Sequence, residues 1–176
     1  RSKMIADPIN LLDSSPIADG AAAVIVAAAD RAAEFSEKPL RVAACSIGTD
    51  TIALDNRQDP LWLKGVERSA RKAYQAAGVG PKEIDLFEVH DAFSIMAALS
   101  LEASGFAEPG TAVRLANEGK YSLGGELPIC TMGGLKGRGH PVGATGLYQV
   151  VEAALQLRGE APAAIQVEGA RRAMAQ

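Results

Sequence analysis

Two histidines are the residues of this chain whose type and setting best suit acid–base chemistry. The 176 residues contain only His90 and His140. His140 lies within a glycine-rich run at 133–146 that reads GGLKGRGHPVGATG. Glycine accepts positive φ and has no Cβ, so such a run lets the main chain turn tightly and lets a ligand approach it closely. Because Gly139 and Pro141 flank the imidazole, the sequence predicts a histidine held at a defined place on a turn.

His90 stands where a predicted strand meets a predicted helix. The stretch IDLFEV at 84–89 alternates apolar and acidic residues, and apolar residues recur at helical spacing from Phe93 onward. In open α/β sheets ligands bind at the carboxyl ends of strands, so its position favours a functional role for His90. Asp91, which follows it directly, is interpreted as the N-cap of the helix.

The glycine-rich run does not match the common phosphate-binding motifs. A phosphate loop requires lysine and a hydroxyl residue after its second glycine, but His140 and Pro141 follow Gly139. A dinucleotide fingerprint requires a third glycine where Val142 stands. A structural turn with an incidental histidine is the simplest alternative. Two histidines at strand ends would otherwise act as general acid and base, or as donors to an oxyanion.

Metal and nucleophile chemistry have less support in the sequence. Two histidines are too few ligands for a catalytic zinc site without Asp91 or Glu88, and no metal is predicted. No Gly-x-Ser-x-Gly motif occurs. Cys45 and Cys130 do not lie in a recognisable nucleophile setting, and both are expected to be buried thiols. The sequence therefore indicates functional histidines without a visible nucleophile.

Composition narrows the class of protein. The length allows one domain with a sizeable core, and 48% apolar but only 5% aromatic residues are typical of helices packed closely on a sheet. The net charge of -3 and the pI near 5.4 give no general attraction to nucleic acid or to an anionic membrane. There is no membrane-spanning apolar run and no signal-peptide layout. We expect a soluble, cytoplasmic protein that binds neither nucleic acid nor membrane.

The predicted elements form a layered α/β unit with strands and helices in alternation. Nearly continuous apolar runs predict buried strands, while a 3.6-residue period predicts helices. Residues 51–60 are expected to be a loop, and no strand is predicted after the last helix-like segment. The predicted strands are 22–28, 40–47, 84–89 and 127–130, and the predicted helices are 61–77, one from Phe93, 147–158, and a helix-like segment at 170–175.

Three motifs, in order, resemble those of thiolases, the enzymes that make or break acyl-CoA chains. The glycine-rich run followed by LYQVVEAALQLRGEA resembles their C-terminal histidine motif. EVHDAF at 88–93 looks like their Asn-Glu-Ala-Phe motif, in the His-Asp-Ala/Cys-Phe variant of sterol-carrier-type and archaeal-type thiolases. DGAAA at 19–23 resembles the stretch that enters the last strand of their N-terminal domain.

The resemblance implies a thiolase-like layered fold, a mixed sheet with helices packed on it. Residues 1–38 would be the tail of the N-terminal domain, and 39–176 an incomplete C-terminal domain without its closing hairpin. Thiolases carry the nucleophilic cysteine in the N-terminal half. The chain is therefore expected to be a fragment of an acyltransferase, inactive alone.

The resemblance also implies Claisen-type chemistry on coenzyme A thioesters, with no bound cofactor because the thioester is the substrate. His140 would activate the nucleophilic cysteine and help hold the thioester oxygen. His90 would replace the family's asparagine in the oxyanion hole for the enolate. The residues expected to line the pantetheine channel are Ala92, Phe93, Gly133, Gly134, Gly139 and Gly143.

Departures from the family pattern leave alternatives open. In the His-Asp-Cys-Phe variant a cysteine acts as the second acid/base, whereas Ala92 stands here. One alternative is a thiolase-fold aldolase for CoA-linked steroid side chains, which lacks the nucleophile and works with a small partner protein. Another is a non-catalytic CoA-binding subunit. The resemblance further implies a homo-oligomer, and a small acyl-CoA-binding partner protein as in archaeal-type thiolases.

Overall fold

The computed structural model describes residues 2–176 as a mixed α/β structure, which confirms the predicted fold class. The strands are β1 (Met4–Ala6), β2 (Ile9–Asn10), β3 (Leu86–Glu88) and β4 (Ala173–Ala175), and the α-helices are α1 (Lys64–Ala77), α2 (Ser94–Ala103), α3 (Ala112–Asn117), α4 (Gly134–Arg138) and α5 (Thr145–Arg158). Short 3-10 helices occupy Leu11–Asp13, Ala29–Glu34, Leu54–Asn56, Pro81–Glu83 and Ala163–Ile165.

β3 is the centre of the fold and leads into the site. On one edge it pairs in parallel with β4, so that Phe87 lies opposite Met174. On the other edge Phe87 forms a parallel bridge with Ile129. The predicted strand at 84–89 is thus confirmed as the shorter β3, and 127–130 runs beside it as extended chain that forms a single bridge.

A compact apolar cluster fixes the position of β3. The rings of Phe87 and Phe106 lie 4.9 Å apart between centroids, within the range of favourable aromatic pairs. The Tyr74 hydroxyl donates to the Ser104 carbonyl at 2.9 Å and so ties α1 to the end of α2. The buried members of the cluster are Phe87, Val89, Leu101, Phe106, Ala112, Tyr121 and Leu127.

The helices that the periodicity predicts at 61–77 and 147–158 are confirmed as α1 and α5. Each ends at a glycine in the left-handed region, Gly78 at φ 70° and Gly159 at φ 71°. This is the common way to close a helix, because glycine adopts that conformation without a Cβ clash. None of the helices in residues 2–176 is long and apolar enough to cross a membrane.

The predicted strands at 22–28 and 40–47 are wrong. Neither segment forms a strand within the described part of the chain. Their apolar side chains are largely exposed, with Ile25 at 85% and Val42 at 71%. A strand needs a neighbouring backbone to complete its hydrogen bonds, and neither run has one among residues 2–176.

The predicted helix-like segment at 170–175 is also wrong, since it contains β4. The Asp85 carboxylate accepts the backbone N–H groups of Arg171 and Arg172, at 2.7 and 2.8 Å. These contacts align the segment along β3, and the resulting ladder outweighs the helix propensity of its alanines. A strand therefore follows the last helix, contrary to the prediction.

Candidate active site

His90 lies in the short turn between β3 and α2, as the sequence predicts. The side chain of His90 is about half-buried, and Asp91 N–H donates to the Val89 carbonyl at 3.0 Å. The Ala92 carbonyl accepts the N–H of Ser15 at 2.8 Å, so the N-terminal segment supports this turn. The carboxyl end of the central strand therefore presents the imidazole.

The interpretation of Asp91 as the N-cap of α2 is wrong. Phe93 occupies that position, with no side-chain cap. Asp91, at 6% exposed, instead receives the N–H of Leu135 at 2.7 Å and that of Lys136 at 3.5 Å, in the first turn of α4. A carboxylate here satisfies N–H groups that lack partners within the helix. Asp91 thus connects the turn of His90 to the glycine-rich run of His140.

At two positions of the run only glycine fits, because φ is positive and because a Cβ would collide with a neighbouring group. Gly134 has φ 59°, and a Cβ there would lie 2.6 Å from both oxygens of Asp91. Gly139 has φ 98°, and its Cβ would lie 2.7 Å from that of Ala18. Between them the chain forms α4, a short helix that the sequence analysis did not predict. The run is therefore a helical turn closely packed between two segments.

His140 is held from two sides. The backbone N–H of His140 donates to the Pro16 carbonyl at 2.9 Å. The ring Nδ1 lies 2.7 Å from Oγ1 of the fully buried Thr145. This contact leaves Nε2 as the ring nitrogen available for chemistry. Thr145 is not among the predicted site residues, although a hydroxyl residue five positions after the histidine, at the start of a helix, could have indicated it.

The structure brings His90 and His140 together, as predicted. Their ring centroids are 5.1 Å apart and the rings meet edge to face at 82°. Burial, and then the positive charge that His140 can carry, lower the pKa of His90 below its usual value. His90 is therefore a neutral imidazole at pH 7, with an N–H to donate. A neutral donor beside a second imidazole can stabilise a developing oxyanion and move a proton.

The other predicted binding residues surround the two histidines in sequence but differ in exposure. Phe93 is 52% exposed at the start of α2, and Ala92 is partly buried. Gly133 and Gly143 are exposed, whereas Gly134 and Gly139 serve the packing described above. The role of these six residues in holding pantetheine stays a prediction.

The two cysteines differ from the expectation that both are buried. Cys45 is exposed. Cys130 is largely enclosed, its Sγ contacts the Val89 carbonyl at 3.3 Å, and burial raises the pKa of its thiol. A thiol kept protonated is a poor nucleophile. No cluster of three or more histidine, cysteine, aspartate or glutamate side chains in residues 2–176 is arranged to hold a metal ion.

A buried acidic pair lies behind the site, and the sequence analysis did not find it. Glu88 is fully buried on β3 and faces Glu152 of α5, whose carboxylate pairs with Arg138. Burial, and then the charge of Glu152, raise the pKa of Glu88 to about 8. Glu88 is accordingly protonated near neutral pH, and neither of its carboxyl oxygens has a hydrogen-bond partner among residues 2–176.

We expect Glu88→Gln to stabilise the protein above neutral pH. The pKa of a glutamate in the unfolded chain is ~4.3, whereas the pKa of Glu88 in the folded chain is about 8. Between these values the folded state binds more protons than the unfolded state, so stability falls as pH rises. Glutamine removes this dependence because its side chain does not ionise. Urea denaturation should show a gain of at least about 1 kcal/mol at pH 8.

The same comparison at pH 5 supplies the check on the Glu88→Gln result. At that pH only the unfolded state has begun to lose its proton, so less of the pH-dependent loss has accumulated than at pH 8 and the difference from the parent should shrink. The exposed Glu168→Gln is the matched control and should change stability little at either pH. A Glu88→Gln variant that is less stable than the parent at pH 8 would show that Glu88 is charged in the folded protein.

A groove of about 630 Å³ lies apart from the histidines. It is lined by residues from the segments 49–51 and 56–59 and from the beginning of α1, and includes Trp62 and Arg68. Neither His90 nor His140 lines it. The predicted loop at 51–60 is confirmed apart from one 3-10 turn, and it borders this groove.

The two histidines meet edge to face at the carboxyl end of the central strand of an α/β fold. Residues 46–176 match the family described as Thiolase C-terminal domain-like. The chain therefore belongs to the thiolase C-terminal domain-like family, as the motifs predicted.

Comparison with curated proteins gives relatives with two different names. The chain is 48% identical over 169 residues to an acetyl-CoA acetyltransferase of Methanothermobacter thermautotrophicus, covering 96% of this chain and 44% of the relative. It is 39% identical to an acetyl-CoA acetyltransferase of Methanocaldococcus jannaschii, covering 89% and 41%. It is 36% identical to sterol carrier protein 2 of Homo sapiens, covering 98% and 32%. The chain thus spans less than half the length of these relatives.

Among solved structures, the chain is similar to one described as Ltp2-ChsH2(DUF35) aldolase. The TM-score is 0.87, and the match covers 99% of this chain and 46% of that chain. Sequence identity is 21%, so this likeness concerns the fold.

Proposed function

We propose that the chain is the C-terminal half of a thiolase-type acyltransferase that acts on 3-ketoacyl-coenzyme A. The observation that carries the proposal is the pairing of His90 with His140, at 5.1 Å between ring centroids. The identity of 48% to an acetyl-CoA acetyltransferase supports acyl transfer as the reaction class.

The proposed reaction divides the work between the two histidines. In cleavage, a cysteine thiolate attacks the 3-keto carbon, the bond between C2 and C3 breaks, and the acyl group stays on the sulfur. The departing acetyl-CoA enolate takes up one proton, equivalent to the one that the cysteine gave up. CoA then removes the acyl group as a new thioester, and the proton of its thiol restores the cysteine thiol. His140, through Nε2, accepts the proton of the cysteine and donates to the reacting carbonyl oxygen. Neutral His90 donates to the enolate oxygen.

The nucleophile is proposed to lie outside residues 1–176. Cys130 has the wrong ionisation for this role, because burial keeps its thiol protonated. The exposed apolar runs at 22–28 and 40–47 support a further part of the protein packed against this chain, since large exposed apolar surfaces mark contact sites. The relatives, which are more than twice as long, agree with this proposal.

Trapping of an acyl-enzyme tests the proposal. The full-length protein is mixed with acetyl-CoA, quenched in acid and analysed by intact and peptide mass spectrometry. We expect one acetyl group on a cysteine outside residues 1–176, with one equivalent of CoA released. Acetylation of Cys45 or Cys130 instead would contradict the placement of the nucleophile.

The same experiment separates acyl transfer from the aldolase and binding alternatives. A thiolase-fold aldolase would form no acyl-enzyme from acetyl-CoA and would release no CoA. A binding subunit would return the acetyl-CoA intact. Either result would overturn the proposed function.

A further inference from the structure

We propose that Asp91 and Glu152 are positioning residues that hold α4 from its two ends and thereby set the separation of His90 and His140. The expected effect on the reaction rate rests on the proposed function. The expected effect on the separation of the two imidazoles does not depend on it. α4 connects the turn of one histidine to the position of the other, and both of its ends contact a buried carboxylate.

The first anchor fastens the beginning of α4 to the turn of His90. Asp91 follows His90 directly and accepts the N–H groups of Leu135 and Lys136. The negative charge also suits the positive end of the helix dipole. Gly134 makes the contact feasible, because any Cβ at this position would collide with the carboxylate. Movement of α4 at this end therefore moves the chain next to His90.

The second anchor fastens the end of α4 to α5. Arg138, the last residue of α4, directs Nε and Nη2 to the two carboxylate oxygens of Glu152. Its Nη1 donates to the Gly139 carbonyl at 3.1 Å, and its guanidinium lies 4.9 Å from the ring centre of Tyr148. Because Gly139 immediately precedes His140, this arginine fixes the chain from which the second imidazole extends.

The two anchors have the same relation to the two histidines. Asp91 directly follows His90. Arg138 donates to the carbonyl of Gly139, which directly precedes His140. The five-residue helix α4 separates the two anchors. Both carboxylates are almost fully buried, so their contacts are strong and are little screened by solvent. A helix held at both ends keeps a fixed length, and so keeps the two rings at the distance that a shared substrate requires. An error of about 1 Å in such a placement can lower a rate by ~10²-fold.

The chain offers matched controls for a purely structural role. Asp85 accepts two backbone N–H groups, as Asp91 does, but at the opposite end of β3. Glu102 is a buried carboxylate, as Glu152 is, and accepts the Ala112 N–H at the start of α3. Removal of either control carboxylate weakens hydrogen bonds to backbone N–H groups that do not belong to α4.

The test compares Asp91→Asn, Glu152→Gln and Arg138→Lys with Asp85→Asn and Glu102→Gln in the full-length protein. Arg138→Lys keeps the charge but loses the forked contact, so it is the mildest variant and decides the outcome if the others fail to fold. The first readout is the 13C resonance and titration of each imidazole, assigned with His90→Gln and His140→Gln. The second readout is kcat and KM for acetoacetyl-CoA cleavage.

We expect the three anchor variants to shift the resonances of both histidines and to lower kcat by about 10- to 100-fold with little change in KM. In the two control variants, the histidine resonances and the kinetic constants should stay near the values of the parent protein. Unchanged histidine resonances in a folded Arg138→Lys variant would overturn the inference. So would equal shifts in the control variants. Shifted resonances in a protein without cleavage activity would support the positioning role and count against the proposed function alone.

Discussion

Replacing His140 by alanine is expected to lower the turnover of acetoacetyl-CoA by about 10³-fold in the full-length protein. The ring is held by Thr145 at Nδ1 and by the Pro16 carbonyl at its backbone, so its Nε2 is preorganised for proton transfer. The loss should appear in kcat, with KM little changed, because the proton moves only during reaction. Steady-state thiolysis and a single-turnover acylation measurement provide both quantities.

Two further variants define what the His140 result means. His140→Gln keeps a hydrogen-bond donor but has no basic nitrogen, so it should restore little of the lost acylation rate. Thr145→Val leaves the imidazole in place but removes its partner at Nδ1, and should give an intermediate loss. A rise in KM with kcat unchanged for His140→Ala would instead make this residue a binding group.

Replacing His90 by alanine is expected to lower carbon–carbon bond cleavage by about 10²- to 10³-fold. The acetylation of the enzyme by acetyl-CoA should be nearly unaffected. The reason is that the enolate oxygen, to which neutral His90 donates, exists only in the carbon–carbon step. Cleavage of acetoacetyl-CoA and release of CoA from acetyl-CoA measure the two steps separately.

An asparagine at position 90 provides the control for this assignment. Its amide also donates a hydrogen bond, so His90→Asn should retain more cleavage activity than His90→Ala. Equal loss of acetylation and cleavage in His90→Ala would show that this histidine serves both steps, contrary to the proposed division of work.

The site was more predictable from the sequence than the elements around it. His90 and His140 were found from residue type and local pattern, because chain turns with glycine and proline leave a clear sequence signature. That the two rings lie 5.1 Å apart agrees with the expectation that they converge, although α4 separates His140 from the extended chain at 127–130. Helices α1 and α5 were found because amphipathic periodicity and a closing glycine are local properties.

What the sequence could not predict depends on contacts between distant residues. The apolar runs at 22–28 and 40–47 have the composition of buried strands, yet a strand also requires a partner that no local pattern identifies. The reverse happened at β4, where an alanine-rich segment became a strand because β3 lies beside it. Asp91 suited a cap of α2 by its position, but its carboxylate contacts α4, 44 residues further along the chain.

The burial of acidic side chains was the other feature that the sequence pattern could not predict. Glu88 belongs to the polar half of an alternating stretch, and no role or position was predicted for Glu152. Both are buried, and Arg138 compensates the charge of Glu152 from within a run of glycines. Residue type alone predicts exposure for such groups, and only the packed structure reveals their pairing.

The most direct test of the central claim is the turnover of acetoacetyl-CoA by the His90→Ala/His140→Ala double variant beside both single variants. The two imidazoles are proposed to serve one reaction centre, and residues that act as a unit have strongly non-additive effects. We predict that the double variant loses no more than about tenfold beyond the His140→Ala variant. A loss equal to the product of the two single losses would show that the histidines act independently, and unchanged turnover in the single variants would remove them from the reaction.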